Sequence, residues 1–179
     1  MDFDIVIRGG TVVNADRSIE ADVGITGGRI AALARGLPAG ERAIDARGML
    51  VMPGGIDSHC HIEQVSSFGI MCADDFHSAT VSAAFGGTTT VIPFCAQHRG
   101  DHIPEVLADY HRRAAEKAVI DYGFHLIVAN PDAQTLSADL PAAIGTGIRS
   151  FKIFMTSTAC GCTTSRSSTC WRRRAGMGH

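Results

Sequence analysis

Gly54-Gly55-Ile56-Asp57-Ser58-His59-Cys60-His61 places two histidines at i, i+2 just after an apolar run, Met49 to Met52. In an extended backbone alternate side chains share a face, so His59 and His61 can address one ion with their Cα atoms about 7 Å apart. His-x-His also occurs in surface loops that bind nothing, and a zinc site needs three or four N, O or S ligands where this stretch supplies two. The context favours ligation. The pair follows what reads as a buried strand, Asp57 and Glu63 share its parity, and Pro53-Gly54-Gly55 is a turn able to close one domain and open the next.

A chain of 179 residues can hold one ordinary domain with a sizeable core. A hydrophobic content of 45% and a net charge of -2 describe a globular chain with no electrostatic case for nucleic acid or membrane partners. Met1-Asp2-Phe3-Asp4 is acidic and lacks the basic start of a signal peptide, and no apolar run approaches a bilayer span, so the expected location is cytoplasmic. In that compartment Cys60, Cys72 and Cys95 stay reduced. Cys160, Cys162 and Cys170 crowd the end of the chain and need their own explanation.

Residues 3–8, 11–13, 21–25, 29–34 and 42–45 read as short strands separated by Gly9-Gly10, Asn14-Ala15-Asp16 and Gly27-Gly28, the last a two-residue hairpin signal. From residue 49 the rhythm becomes strand then helix: GMLVM, a helix over 74–85, TTTVIPF at 88–94, a helix over 103–117, DYGFHLIVA at 121–129, a helix over 133–144, and IRSFKIFM at 148–155. Asp74-Asp75 and Ser137 to Asp139 stand near helix starts, while Gly86-Gly87 and Gly145 stand where helices stop. Alternating strands and helices imply a parallel sheet, and four such units are half of a (β/α)8 barrel, which takes about 250 residues in full.

Lys152 is the second chemical residue, set within the apolar Ser150-Phe151-Lys152-Ile153-Phe154. A buried ammonium is costly unless paired or deprotonated, and the plain alternative is a strand-end lysine reaching water. A neutral amine can instead add carbon dioxide to form a carbamate, an anionic oxygen ligand. At the end of the fourth strand it would face His59 and His61 across the barrel mouth.

GGIDSHCHIE, DDF at 74–76, GGTTTVIPF at 86–94, DYGFH at 121–125 and SFKIFMT at 150–156 together resemble the cyclic amidohydrolases of the hydantoinase and dihydropyrimidinase group. The resemblance runs from residue 1 to about 156. It implies an α/β chain: residues 1–50 as the N-terminal portion of a β-sandwich, residues 51–156 as the first half of a metal-dependent (β/α)8 TIM-like barrel, and residues 157–179 as an aberrant tail. The implied reaction is hydrolytic opening of a cyclic amide or ureide ring, a hydantoin or dihydropyrimidine, with allantoinase as a neighbouring activity. The implied cofactors are two Zn2+ ions per subunit and a lysine carbamate formed with CO2; the family is homotetrameric, an assembly not carried over to a fragment.

Position by position, His59 and His61 match ligands of the first metal, and Lys152 matches the carbamylated lysine bridging both. Zinc lowers the pKa of bound water towards neutrality, so that hydroxide can attack the ring carbonyl. The family's other two histidines and its aspartate belong to later strands. Dihydroorotases usually carry an arginine where this chain has Glu63, which points to an uncharged ring. Asp57 matches an acidic position that orients a histidine, and His125 a family position that is not a ligand. His77, His98, His102 and His111 lack paired spacing and read as solvated or satisfied. A non-catalytic scaffold is the competing reading; retention of His59, His61 and Lys152 together counts against it.

After Thr156 the chain reads STACGCTTSRSSTCWRRRAGMGH, without apolar periodicity. Cys160, Cys162 and Cys170 lack paired CxxC spacing and a fourth ligand, so a zinc module is a poor reading. Back-translated in GC-rich codons, with one A inserted after the first base of the Ser157 codon, the segment from Met155 reads MTYDGLRLYDEQVLDVLAAARGHGA. That string contains an amphipathic helix, DEQVLDVLAAAR, and restores the family's oxyanion-binding tyrosine where this chain has Ser157. The tail therefore reads as a frameshift, and the chain as an inactive half barrel with aggregation-prone edges. Sequencing the coding DNA past the Thr156 codon is expected to show one base missing; an intact frame there removes this explanation.

Overall fold

Gly27 and Gly28 both take positive φ, 58° and 72°, and turn β2 (Ser18–Thr26) back onto β3 (Arg29–Ala34) through a two-residue loop. Two consecutive positive-φ residues match the twist of the flanking strands, as the sequence predicted. The computed structural model describes residues 2–66 and 69–154; Ser157 and the 157–179 segment lie outside the described residues. It divides into two compact units, the first ending at Gly54 and the second beginning at Gly55.

In the first unit β1 (Phe3–Val13) is one strand where the sequence suggested two. Gly9-Gly10 does not end it: the register with β2 shifts between Ile7 and Gly10, and Gly9 sits at φ 69°. The glycine pair is thus a bulge inside a continuous strand. A bulge leaves a backbone donor out of the ladder, and here the Gly9 N–H donates to Asp22 Oδ1 at 2.8 Å. Asp22 also accepts from Leu37 N–H at 3.0 Å and lies 3.6 Å from Arg8. β4 (Gly40–Asp45) and β5 (Leu50–Val51) both run parallel to β1. Val12, Ala21 and Val23 form the buried centre of this sheet, with Ile7, Ile19, Ile25 and Val51 against them.

The run from Met49 to Met52 was expected to be the first barrel strand. Instead Leu50 and Val51 pair with Thr11 and Val12 of β1, and Met49, Leu50 and Met52 are 60%, 63% and 61% exposed. Pro53, which has no N–H to give a ladder, separates that run from the strand that carries the histidines.

That strand is β6 (Gly55–Cys60), which opens the second unit. It is followed by α1 (Phe76–Phe85), β7 (Thr88–Ala96), α2 (Ile103–Lys117), β8 (Asp121–Tyr122), β9 (His125–Ile127), α3 (Leu140–Gly145) and β10 (Phe151–Lys152). The sheet order is β10-β9-β7-β6, every pair parallel, with β8 also beside β7. The segment 121–129 is therefore two short strands. The helix expected over 133–144 begins as a π-helical turn, Thr135–Asp139, before α3. Pro141 supplies no N–H to the preceding turn, and the wider turn accommodates that.

Helix ends obey local rules. Asp75 and Ser78 form a capping box at α1: Asp75 Oδ1 accepts from Ser78 N–H at 2.9 Å and Ser78 Oγ accepts from Asp75 N–H at 3.2 Å. Asp139, expected to cap its own helix, instead accepts from Ile103 N–H at the start of α2, at 3.2 Å. Ile103, Leu107, Tyr110 and Ala114 form the buried stripe of α2 and pack with Phe76, Phe124, Leu126 and Val128 into the main core. Among the described residues no helix is long and apolar enough to cross a membrane.

Beyond β6 the chain turns through Glu63, the one positive-φ residue other than glycine among the described residues, at φ 48°. Its N–H donates to Asp74 O at 3.1 Å and its carbonyl accepts from Arg113 at 2.6 Å. Its carboxylate takes the Phe76 N–H at 3.2 Å and Lys117 Nζ at 3.0 Å on both oxygens. The left-handed turn breaks the parity shared with His61 and aims the carboxylate at α1 and α2. Glu63 thus acts as a clamp between two helices, and its carboxylate is held on the helix side of the sheet, away from His59 and His61.

Two expectations follow. Glu63→Ala uncaps the Phe76 N–H and takes from Lys117 the carboxylate that it bonds on both oxygens, lowering stability by about 2 kcal/mol in denaturant titrations. Asp22 is held below the ordinary 3.8, foremost by the Gly9 N–H and further by Leu37 and Arg8, against the opposing effect of burial. Its contribution to stability is complete above 3.8 and is lost as pH falls through the lowered native value. Denaturation midpoints of wild type and Asp22→Asn, followed by circular dichroism from pH 6 downward, should converge on acidification; a constant gap contradicts the assignment.

Candidate metal centre

Alternation along the strands of the second unit sorts side chains onto two faces. Cys60, Ile62, Val91, Cys95, Leu126, Phe151 and Ile153 join the core beneath the helices. Phe94, Ala96 and Ile127, with Phe154 against them, cluster on the opposite face. His59, His61 and Lys152 converge on Phe94. The ring centroids of His59 and His61 lie 4.8 Å and 5.2 Å from that of Phe94 and 5.8 Å from each other. Lys152 Nζ stands 4.6 Å from the Phe94 centroid and 5.3 Å from that of Phe154.

β6 and β10 are the two outer strands of the ordered path, three spacings or about 14 Å apart in a flat sheet. Side chains from both reach the same phenyl ring because the sheet curls and its concave face gathers them. The three residues singled out from the sequence are thereby brought to one place. Phe94, the surface they share, was quoted within a motif but not recognised; its even-numbered place on β7 was the available signal.

The local backbone explains how the histidines are presented. β6 pairs with β7 as Asp57↔Val91 and then Cys60↔Pro93, so β6 carries one extra residue at Ser58-His59. This bulge frees the His59 N–H, which donates to Asp57 Oδ1 at 3.0 Å. Asp57 therefore fixes the backbone of His59, where an orienting contact to an imidazole was expected. His61 is oriented by a residue the sequence reading passed over: its Nδ1 lies 2.7 Å from Gln64 Oε1. A carbonyl oxygen only accepts, so Nδ1 carries the proton and Nε2 keeps its lone pair for a metal.

The donor set fits a zinc ion in kind: two imidazoles, with one ring nitrogen of His61 held open, and an amine on the same concave face. Among the described residues no cluster of three or more His, Cys, Asp and Glu side chains is assembled; the further nitrogen that the sheet brings to the ring of Phe94 is that of Lys152. Cys60 is no candidate. Burial, then the charge of Asp57, pushes its thiol up to about 11, and it faces the helices. Burial raises the Cys95 thiol as well.

A cavity of about 590 Å3 opens beside this group, lined among others by His61, Gln64, Cys72, Gln97, His98 and Lys152. His98, read from the sequence as solvated or satisfied, thus borders it; His102 lies 3.6 Å from Asp139, and His111 packs edge-on against Phe124 at 4.8 Å. Gln97, 1% exposed, uses every polar atom: Oε1 accepts from Ala129 N–H at 3.2 Å and Asn130 N–H at 3.1 Å, and Nε2 donates to Asp101 O at 3.0 Å and Thr135 Oγ1 at 3.2 Å. It ties together the loops that follow β7 and β9. Nothing in its sequence context announced that role.

Residues 50–172 match the model of the amidohydrolase family. The chain is 47% identical to a D-hydantoinase of Ralstonia pickettii over 153 residues, covering 86% of this chain and 33% of that protein. It is 39% identical to a dihydropyrimidinase of Rattus norvegicus over 163 residues, covering 84% of this chain and 30% of that protein. Among solved structures, one D-hydantoinase superposes with a TM-score of 0.91 at 41% identity, covering 99% of this chain and 38% of its own. The dihydropyrimidinase of Brevibacillus agri NCHU1002 superposes with a TM-score of 0.89 at 36% identity, covering 97% and 38%. The chain spans about a third of the length of the curated relatives it matches. With a parallel half barrel, a histidine pair at the end of β6 and a lysine on β10, the chain belongs to the amidohydrolase family and is similar within it to hydantoinases and dihydropyrimidinases.

Proposed function

We propose that this chain is the N-terminal part of a zinc-dependent hydrolase that opens an uncharged cyclic amide or ureide ring, a hydantoin or a dihydropyrimidine. The observation that supports it best is the convergence of His59, His61 and Lys152 on Phe94 beside the 590 Å3 cavity. His59 and His61 would hold the first of two zinc ions, and Lys152, as a carbamate, would bridge both. When bound, zinc supplies Lewis acidity towards a ring carbonyl and an activated water at neutral pH.

The chain's own residues do the positioning. Asp57 and the bulge at Ser58-His59 aim the first imidazole, Gln64 sets the tautomer of the second, and the Phe94 ring packs against both. The Lys152 ammonium would first give up a proton to solvent; its free amine would then bond the carbon of CO2 and lose a second proton, leaving a carbamate whose oxygens lie on the same face. The family resemblance assigns the remaining ligands and the oxyanion-binding tyrosine to residues this chain does not supply, so the 179 residues alone hold an incomplete machine. The homotetramer of the family would be a property of the full-length protein.

Zinc titration against a competing chelator tests the ligand set. The purified chain is expected to take up zinc, and His59→Ala, His61→Ala and Lys152→Ala to weaken it at least about tenfold. The chain alone should open neither hydantoin nor dihydrouracil in zinc-supplemented buffer, whereas a full-length, in-frame version should. Unchanged zinc affinity in all three variants would sink the ligand assignment, and turnover by the 179-residue chain the claim of incompleteness.

A further inference from the structure

His125 spans the site from below. It lies on β9, yet its Nε2 is 2.9 Å from the carbonyl oxygen of Ser58, on β6. These strands are not neighbours: β7 runs between them. A backbone ladder joins adjacent strands only, and two spacings of a flat sheet measure about 10 Å, so this bond forms only where the sheet is curled. The acceptor is available because the bulge between Asp57 and Cys60 takes Ser58 out of regular pairing with β7. The other ring nitrogen, Nδ1, bonds the hydroxyl of Ser150, two residues before Lys152. Since the carbonyl can only accept, Nε2 carries a proton, and that one proton suffices, because Nδ1 can accept from the serine. The ring also packs on Phe94, centroids 5.0 Å apart.

We infer that His125 is a positioning residue: a strap across the concave face that ties the residue before His59 to the strand that carries Lys152, and so sets the separation of the two halves of the metal site. This rests on the reading of His59, His61 and Lys152 as ligands. It assigns His125 no bond to the metal; its effect passes through Ser58 and Ser150.

The test is zinc affinity of the full chain, measured by chelator competition, alongside circular dichroism and thermal unfolding. His125→Phe keeps a ring against Phe94 and removes both hydrogen bonds; the expected loss is about tenfold or more in zinc affinity, the range seen when groups that orient metal ligands are removed. His125→Gln restores a donor towards Ser58 and should recover most of that loss, a rescue that general destabilisation does not predict. Should His125→Phe fail to fold, Ser150→Ala cuts the strap at its other end and should weaken zinc severalfold. Folded variants that bind zinc within twofold of the wild type overturn the inference and leave the ligand assignment intact. A wild-type chain that takes no zinc removes the assignment and the inference with it.

Discussion

Along each strand of a pleated sheet, neighbouring side chains must leave on opposite sides, and in the parallel sheet of this chain that geometry decides both what is core and what is chemistry. Cys60, Cys95, Leu126 and Phe151 go to the helices, so the residues beside them, His59 and His61, Phe94 and Ala96, His125 and Ile127, and Lys152, are sent to the concave face. A slip of one residue in a strand would exchange the side chains of its two faces, sending His59 or Lys152 into the core and Cys60 or Phe151 out of it. The hydrophobic core therefore holds the site in register without touching it.

Alternation sorts the side chains but cannot bring the outer strands together. That requires curl, and the contacts that report it are those that skip a strand: the lysine of β10 against the phenylalanine of β7, and His125 of β9 reaching over β7 to Ser58. Outside the sheet, the Glu63 clamp holds the exit of β6 to the start of α1 and to α2, while Gln97 joins the loops that follow β7 and β9. Each of these is a polar group with its partners supplied by distant elements, so each is meaningful only in the folded chain.

A common device recurs in both units. At several places where the backbone departs from regular structure, a carboxylate answers it: Asp22 at the Gly9 bulge, Asp57 at the Ser58-His59 bulge, Glu63 and Asp75 at the start of α1, and Asp139 at the start of α2. Backbone donors released from a ladder or a helix end must find an acceptor, and an ionised carboxylate is the strongest one available. Acids near the histidines, which invite assignment to the metal, are occupied with the backbone that carries it.

Local chemistry and periodicity encode the Gly27-Gly28 hairpin, the α2 stripe, the strand-helix alternation from β7 onward, and the pairing of a His-x-His with a strand lysine, so these are legible in the sequence. Those depend on neighbours within a few residues, or on donor types whose chemistry is independent of place. Long-range contacts fix that Gly9-Gly10 bends a strand instead of ending it, that Leu50 and Val51 join the first sheet, and that Glu63 turns away from His61. They alone place Phe94, Gln97 and His125 in the site. A bulge, a left-handed turn or a bond across two strands is fixed by partners 13 to 67 residues away, and no window along the chain contains them.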